Sequence, residues 1–200
     1  FGLNRPMEQI SKGNGKSTAI SAYSSSVINL NNNLTTSLGV TAQYFTLNNN
    51  FSIEPRVALK WKINPKQSLA LAYGLHSRRE KLDYYYVEKV VNGKKLSNRY
   101  LDLSRAHHFG LTYDWNINQN LHLKVEPYFQ YLFHVPVEEK SSFSVINYEE
   151  FYLDRILVNT GKGRNYGIDI TLEQYMKNGF YYMITGSLFK SKYRGGDRIW

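Results

Sequence analysis

The stretch FSIEPRVALKWKI, Phe51 to Ile63, alternates without a break for its whole length. Phe51, Ile53, Pro55, Val57, Leu59, Trp61 and Ile63 occupy the odd positions. Ser52, Glu54, Arg56, Ala58, Lys60 and Lys62 occupy the even ones. Successive side chains of a strand point to opposite faces, so a period of two writes an extended ribbon with one apolar and one polar face. A helical period of 3.6 does not fit it. The same alternation recurs in Gln67–Arg78, His108–Ile117, Asn120–Phe133 and Tyr166–Tyr175, with looser versions at 34–47 and 179–191 and an ambiguous one at 17–30. The pattern predicts an all-β, antiparallel chain of about eight strands, several of ten to fifteen residues. Soluble strands average about 5–6 residues, whereas a membrane-crossing strand needs about 9–11.

The connections sort into two kinds. Asn31-Asn32-Asn33, Asn64-Pro65-Lys66-Gln67, 116–120 and Lys177-Asn178-Gly179 are tight turns rich in Asn, Gly or Pro. Between them come a short link at 48–50 and long loops at 79–104 and 134–163. Short turns on one edge and long loops on the other is the layout of an outer-membrane barrel. Aromatics make up 15% of the chain, and their placement matters more than their number. Trp61, Trp115, Tyr175 and Phe180 flank the short turns, while Tyr131 and Phe133 lie toward the long loops. Two interfacial belts are expected of a membrane barrel. A soluble sandwich or small barrel gives the same alternation, with the apolar face turned inward. Long strands, small residues among the charges (Ala70, Ala72, Gly74, Gly110, Gly167) and a hydrophobic content of only 42% favour the transmembrane reading.

The motifs exclude several functions. The net charge of +9 is scattered through strands and loops, with no basic helix or finger, so nucleic acid is not an expected partner. There is no Cys. His107 and His108 point to opposite faces, and His76, His122 and His134 are isolated, so neither a metal nor a cofactor is expected. Gly161-Lys162-Gly163-Arg164 lacks the spacing of a phosphate loop, and no nucleophile elbow occurs, so the chain does not read as an enzyme. The polar faces carry Glu54, Arg56, Lys60, Lys124, Glu126, Asp169 and Glu173, expected to line a lumen and to face one another across it. Loop 79–104 and its edges hold eight Lys or Arg against Glu80, Asp83, Glu88 and Asp102, a local excess of about four positive charges. Arg79, Lys81, Lys94 and Lys95 are candidates for capturing an anionic ligand or lipopolysaccharide phosphate, and Tyr84, Tyr85 and Tyr86 for stacking on a ring.

Ser52-Ile53-Glu54-Pro55-Arg56-Val57, then Asn64-Pro65-Lys66-Gln67-Ser68-Leu69 and Tyr73-Gly74-Leu75-His76-Ser77, resemble the barrel of TonB-dependent outer-membrane receptors. The similarity is greatest to the variety with a carboxypeptidase-regulatory-like extension before the plug. Asn159-Thr160-Gly161-Lys162-Gly163-Arg164-Asn165-Tyr166-Gly167-Ile168-Asp169 resembles a second segment of that barrel. Gly179 to Tyr182, Ser187 to Phe189 and Ser191 to Asp197 resemble a third. The resemblance implies a roughly 22-stranded barrel of a Gram-negative outer membrane that takes up a scarce nutrient. Residues 1–16 would be a lead-in, 17–193 barrel strands and 194–200 the start of a further loop. The plug and TonB box are not in this chain, so it reads as part of a larger receptor. The implied partners are outer-membrane lipid and lipopolysaccharide, the TonB complex acting through the plug, a surface lipoprotein, and a small-molecule, glycan or peptide ligand. A passive eight-stranded porin or structural barrel, and a soluble all-β binding module, remain open at this level.

Overall fold

A computed structural model describes residues 16–148 and 153–200. The expected lead-in at 1–16 lies outside them except for Lys16. Eight strands form one antiparallel sheet in the order β1-β2-β3-β4-β7-β8-β9-β10. They are β1 (Ala19–Asn29), β2 (Leu34–Phe45), β3 (Asn50–Asn64), β4 (Gln67–Arg78), β7 (Ser104–Asn116), β8 (Leu121–Glu138), β9 (Leu157–Lys177) and β10 (Phe180–Arg194). A separate small hairpin joins β5 (Glu88–Val91) to β6 (Lys94–Ser97). Each large strand has 11 to 21 residues. That is long enough to cross a bilayer at a tilt and, for β8 and β9, to stand above it.

Sequence neighbours are sheet neighbours, so the sheet is a meander built entirely from hairpins. Its edges are β1 and β10, each paired on one side only. The lower turns are short because their residues accept the required backbone. Asn178 (φ 52°) and Gly179 (φ 83°) both take the left-handed conformation that a two-residue turn between twisted strands demands. Asn92 (φ 50°) and Gly93 (φ 76°) do the same at the tip of the β5–β6 hairpin.

The two faces follow the alternation. Phe51, Ile53, Val57, Leu59, Trp61 and Ile63 are 40–56% exposed on the outer face. In water that would be an anomaly, and in lipid it is a requirement. Glu54, Arg56 and Lys60 turn to the other face, registered against Thr41, Gly39 and Thr35 of β2. Pro55 faces Val40 of β2, just where the β3–β4 ladder stops at Arg56↔Gly74. A residue with no N–H to donate is tolerated where one neighbour has parted.

The buried apolar residues of the described chain do not lie in the sheet's middle. They fall at 45–47, 84–103 and 135–157, at the long-loop end. The loops expected at 79–104 and 134–163 are narrower and more structured than coil. The first folds into a 3-10 turn at Leu82–Tyr86, the β5–β6 hairpin and a second 3-10 turn at Asn98–Tyr100. The second is shortened from both ends by β8 and β9.

Candidate functional site

The inner wall carries two polar clusters, and the register decides their membership. The upper one centres on Glu54, whose side chain is 2% exposed. Its carboxylate accepts from Gln43 Nε2 (2.6 Å), Ser52 Oγ (3.2 Å), the Ser77 hydroxyl and the Ser77 backbone N–H (3.1 Å). Arg56 approaches at 3.5 Å. Above Arg56↔Gly74 the β3–β4 ladder has ended, so the Ser77 N–H has lost its carbonyl partner, and the Glu54 carboxylate replaces it. A buried anion is stable there because four donors and a guanidinium surround it.

The lower cluster joins β7, β8 and β9. Lys124 Nζ lies 2.8 Å from Glu126, and Thr112 donates to Glu126 at 3.3 Å. His122 Nε2 lies 3.1 Å from Asp114. Asp169 is registered opposite Glu126, and Glu173 opposite His122. Along the sheet Glu54 and Arg56 do not register with this group. Two strands, β4 and β7, stand between β3 and β8, so the charges form two separate patches. Lys60 joins neither: its register partners are Thr35 and Ala70. Between the patches a pocket of about 500 Å³ opens on the inner face. Arg56, His76, His108, Tyr128 and Gln130 line it over the small residues Gly39, Ala58, Ala72, Gly74 and Gly110. The His76 and His108 rings are 4.5 Å apart. Among the described residues no His, Asp and Glu gather in a set able to hold a metal.

Above the wall the long loops fold into one cap. Tyr85 is fully buried and Tyr84 nearly so. Tyr85 packs on Phe45 at 5.4 Å and its hydroxyl accepts the Glu80 N–H at 3.2 Å. Both rings were candidates for stacking on a ligand. Packing against Val87, Leu101, Val135 and Val145 instead commits them to a core, and only Tyr86 remains partly open. Arg79 stands 6.0 Å over Phe45, and Lys81 5.8 Å over Tyr84. Burial raises the ionisation of both Tyr84 and Tyr85 above the usual tyrosine range, with nearby Asp83 and Glu80 adding for Tyr84. Their neutral form is the folded form, so stability is held below the unfolded value near 10 and lost as pH rises through the folded one. The cap is expected to loosen only above about pH 10. Tyrosinate absorbance rising in step with backbone hydrogen exchange of the loops would show it; absorbance that saturates with no change in exchange would not.

Asn98 ties the two loops together. It is buried, donates to the Arg155 carbonyl at 2.8 Å and accepts the Leu157 N–H at 2.8 Å. Asn159 repeats the pattern, exchanging hydrogen bonds with the Asp102 backbone and donating to the His134 carbonyl. Asn48 and Asn50 both donate to the Leu101 carbonyl at 2.8 Å, which fastens the short link as well. Nothing in the sequence flags Asn98, because its partners are 57 and 59 residues away. Asn98→Ala orphans two buried backbone groups, at about 1–3 kcal/mol each. Faster hydrogen exchange at Leu157, the upper end of β9, with the rest of the barrel strands unchanged, is the expected result. Of the loop's cations, Arg78 pairs with Glu80, Lys95 with Glu88, Lys89 with Asp154 and Arg105 with Asp102. Arg79, Lys81, Lys94 and Arg99 keep no carboxylate partner among the described residues.

The aromatics proposed for the two belts take different positions. Trp61 is 48% exposed and Phe180 78% exposed beside their turns, and Trp115 is half-buried. At the upper outer face Phe133 stacks with both His107 and Tyr131. Tyr175 departs from the expectation. It stacks on His122 at 6.5 Å, on the inner face, because it shares parity with Glu173.

A comparison with protein-family models finds no match, and a comparison with curated proteins finds none either. Solved structures are similar in fold. The outer-membrane transporter YddB from Escherichia coli aligns over 88% of this chain and 25% of its own, with TM-score 0.69 and 17% identity. The siderophore receptor PirA from Pseudomonas aeruginosa aligns over 88% and 36%, with TM-score 0.68 and 9% identity. The FrpB iron transporter (F3-3 variant) from Neisseria meningitidis aligns over 92% and 27%, with TM-score 0.67 and 14% identity. The chain thus spans 25–36% of the length of these proteins, which are transporters and receptors, not enzymes. Its fold is similar to the β-barrel wall of these outer-membrane proteins.

Proposed function

We propose that this chain is part of a TonB-dependent transporter that binds a scarce nutrient at the cell surface and passes it to the periplasm. Energy would come from the TonB complex, acting through a plug outside this segment. The observation that carries this reading is the asymmetry of the two ends. One end has only tight turns. The other has two long loops welded by Asn98 and Asn159 into a cored cap above a polar inner wall. A cap with its own core is a rigid mount for side chains that meet a ligand. Arg79, Lys81, Lys94 and Arg99 are the cations left over for an anionic one, such as an iron chelate.

A passive eight-stranded porin is the second reading. Such a barrel needs its first and last strands paired with each other, and among the described residues β1 and β10 pair only with β2 and β9. Competitive growth under iron limitation, or on a peptide or glycan as sole carbon source, separates the two. Cells with the intact gene are expected to lose their advantage when TonB is inactivated. They are expected to lose much of it when residues 82–101 are replaced by a short linker. An advantage that survives TonB inactivation would establish the passive reading.

A further inference from the structure

Three Asn-Gly pairs occur in the chain: Asn14-Gly15, Asn92-Gly93 and Asn178-Gly179. The first lies outside the described residues. The other two are the centres of tight turns, with Asn92 at φ 50° and Gly93 at φ 76°, and Asn178 at φ 52° and Gly179 at φ 83°. In Asn-Gly the side-chain amide is unusually open to attack by the following backbone nitrogen. Glycine has no Cβ to hold that nitrogen away, and the space where a Cβ would stand is empty at both Gly93 and Gly179.

The two turns differ in what holds them shut. Asn178 closes β9 on β10, which run in register from Phe180↔Lys177 to Arg194↔Lys162 with one irregularity beside the turn. Asn92 closes a hairpin registered only from Glu88↔Ser97 to Val91↔Lys94, which joins no larger sheet. The feet of this hairpin are fastened, since the Asn98 N–H donates to the Val87 carbonyl at 3.0 Å. Its tip is bare, with Val90 73% and Val91 46% exposed. A lone pair of strands is marginally stable in water. Ring closure needs a rotation at Asn92 that the closed turn forbids, so its rate follows the opening of the hairpin. The surroundings are basic. Lys94 and Lys95 follow directly, and Lys89 stands on the facing strand opposite Leu96. Lys95 is paired with Glu88 at 2.7 Å, whereas Lys94 has no carboxylate partner among the described residues. Positive charge favours loss of the Gly93 amide proton, which makes the nucleophile.

We infer that Asn92 is a site of spontaneous covalent modification, deamidating at the tip of the cap. The Gly93 nitrogen loses its proton and bonds to Asn92 Cγ. The Cγ–Nδ2 bond breaks, and Nδ2 takes up a proton and leaves as ammonia. Water then opens the five-membered imide at either carbonyl, giving Asp or isoaspartate. The net change is water consumed and ammonia released, with nothing oxidised or reduced. A carboxylate then stands beside Lys94 and Lys95, and the positive excess of the cap loop falls by one charge. In the isoaspartate product the main chain runs through the former side chain, which breaks the Val91↔Lys94 register that aims both lysines. Neither step depends on the transport reading.

The test uses the full-length protein in mild detergent, incubated in mildly alkaline buffer made with heavy-oxygen water, then digested and mapped by mass spectrometry. A parallel sample is unfolded in guanidinium chloride, where both pairs react without a fold to restrain them. In the folded protein Asn92 is expected to convert at least about tenfold faster than Asn178, and in the unfolded chain at about the same rate. The product should carry heavy oxygen, with isoaspartate present beside Asp. Asn92→Gln, which would have to close a six-membered ring, should show no conversion at that position and leave Asn178 as in the wild type. An Asn92 that stays intact in the folded protein while the unfolded chain converts overturns the site. Equal rates at Asn92 and Asn178 in the folded protein overturn the role of the free hairpin. Asp without isoaspartate overturns ring closure by the Gly93 nitrogen.

Discussion

Tyr85→Ala is expected to open the cap while leaving the barrel standing. Tyr85 is fully buried at the centre of the loop core, against Phe45, Val87 and Leu101. Removing an aromatic ring from such a site costs about 3–5 kcal/mol, from lost burial and from the cavity left behind. The strands of the wall meet that core only through their upper ends, at Phe45, Val135 and Leu157, while the apolar side chains of their middle face outward. Hydrogen exchange should therefore accelerate across 82–103, 143–148 and 153–157 and stay slow in the middle of the sheet. Band shift on unheated gels, which reports an intact barrel, should be retained. Tyr85→Phe keeps the ring and loses only the hydrogen bond from the Glu80 N–H, a change of about 1 kcal/mol. Uniform acceleration through loops and strands would refute this division of the molecule into a wall and a separately cored cap.

Glu54→Ala is expected to have the opposite distribution, damaging the wall. The carboxylate serves Gln43, Ser52, both donors of Ser77, and Arg56. Alanine leaves the Ser77 N–H with no acceptor where β3 and β4 have separated. With one buried backbone donor and several side-chain donors orphaned, the cost is about 3–5 kcal/mol. Glu54→Gln keeps one acceptor oxygen and should fall between. Denaturant unfolding of the micelle-embedded receptor gives the ranking, and protection at Ser77 gives the mechanism. If Glu54→Ala leaves Ser77 protected, the carboxylate is not the substitute ladder partner described here.

The strands were legible in the sequence because alternation is local. Phe51 to Ile63 announces its two faces without help from the rest of the chain, and the structure places Ile53 and Glu54 on opposite faces of β3. What was not legible depends on register. Glu126 and Asp169 are 43 positions apart, and only the β8–β9 pairing shows that they stand opposite each other. The same holds for the separation of Glu54 from the β8–β9 charges, which needs the strand count between them. Tyr175 was misplaced by proximity to a turn, which says nothing about which side of the strand a ring takes. Tyr84 and Tyr85 looked like an open aromatic cluster in a charged loop. Their burial comes from Phe45, Leu101 and Val135, three distant segments that no local pattern connects. Asn98 gave no signal at all, as its value lies wholly in partners on the other loop.

The two halves of the cap belong to different hairpins, with β7 and β8 between them. Residues 82–103 can reach the far side of the membrane with their own hairpin, but their core requires Val135, Val145 and Leu157. That core cannot close until the second loop has also crossed. Until both loops are in place, Tyr84, Tyr85 and Val145 lack the apolar partners that cover them in the folded cap. The part of this segment that most resembles a soluble domain therefore depends on residues from both hairpins.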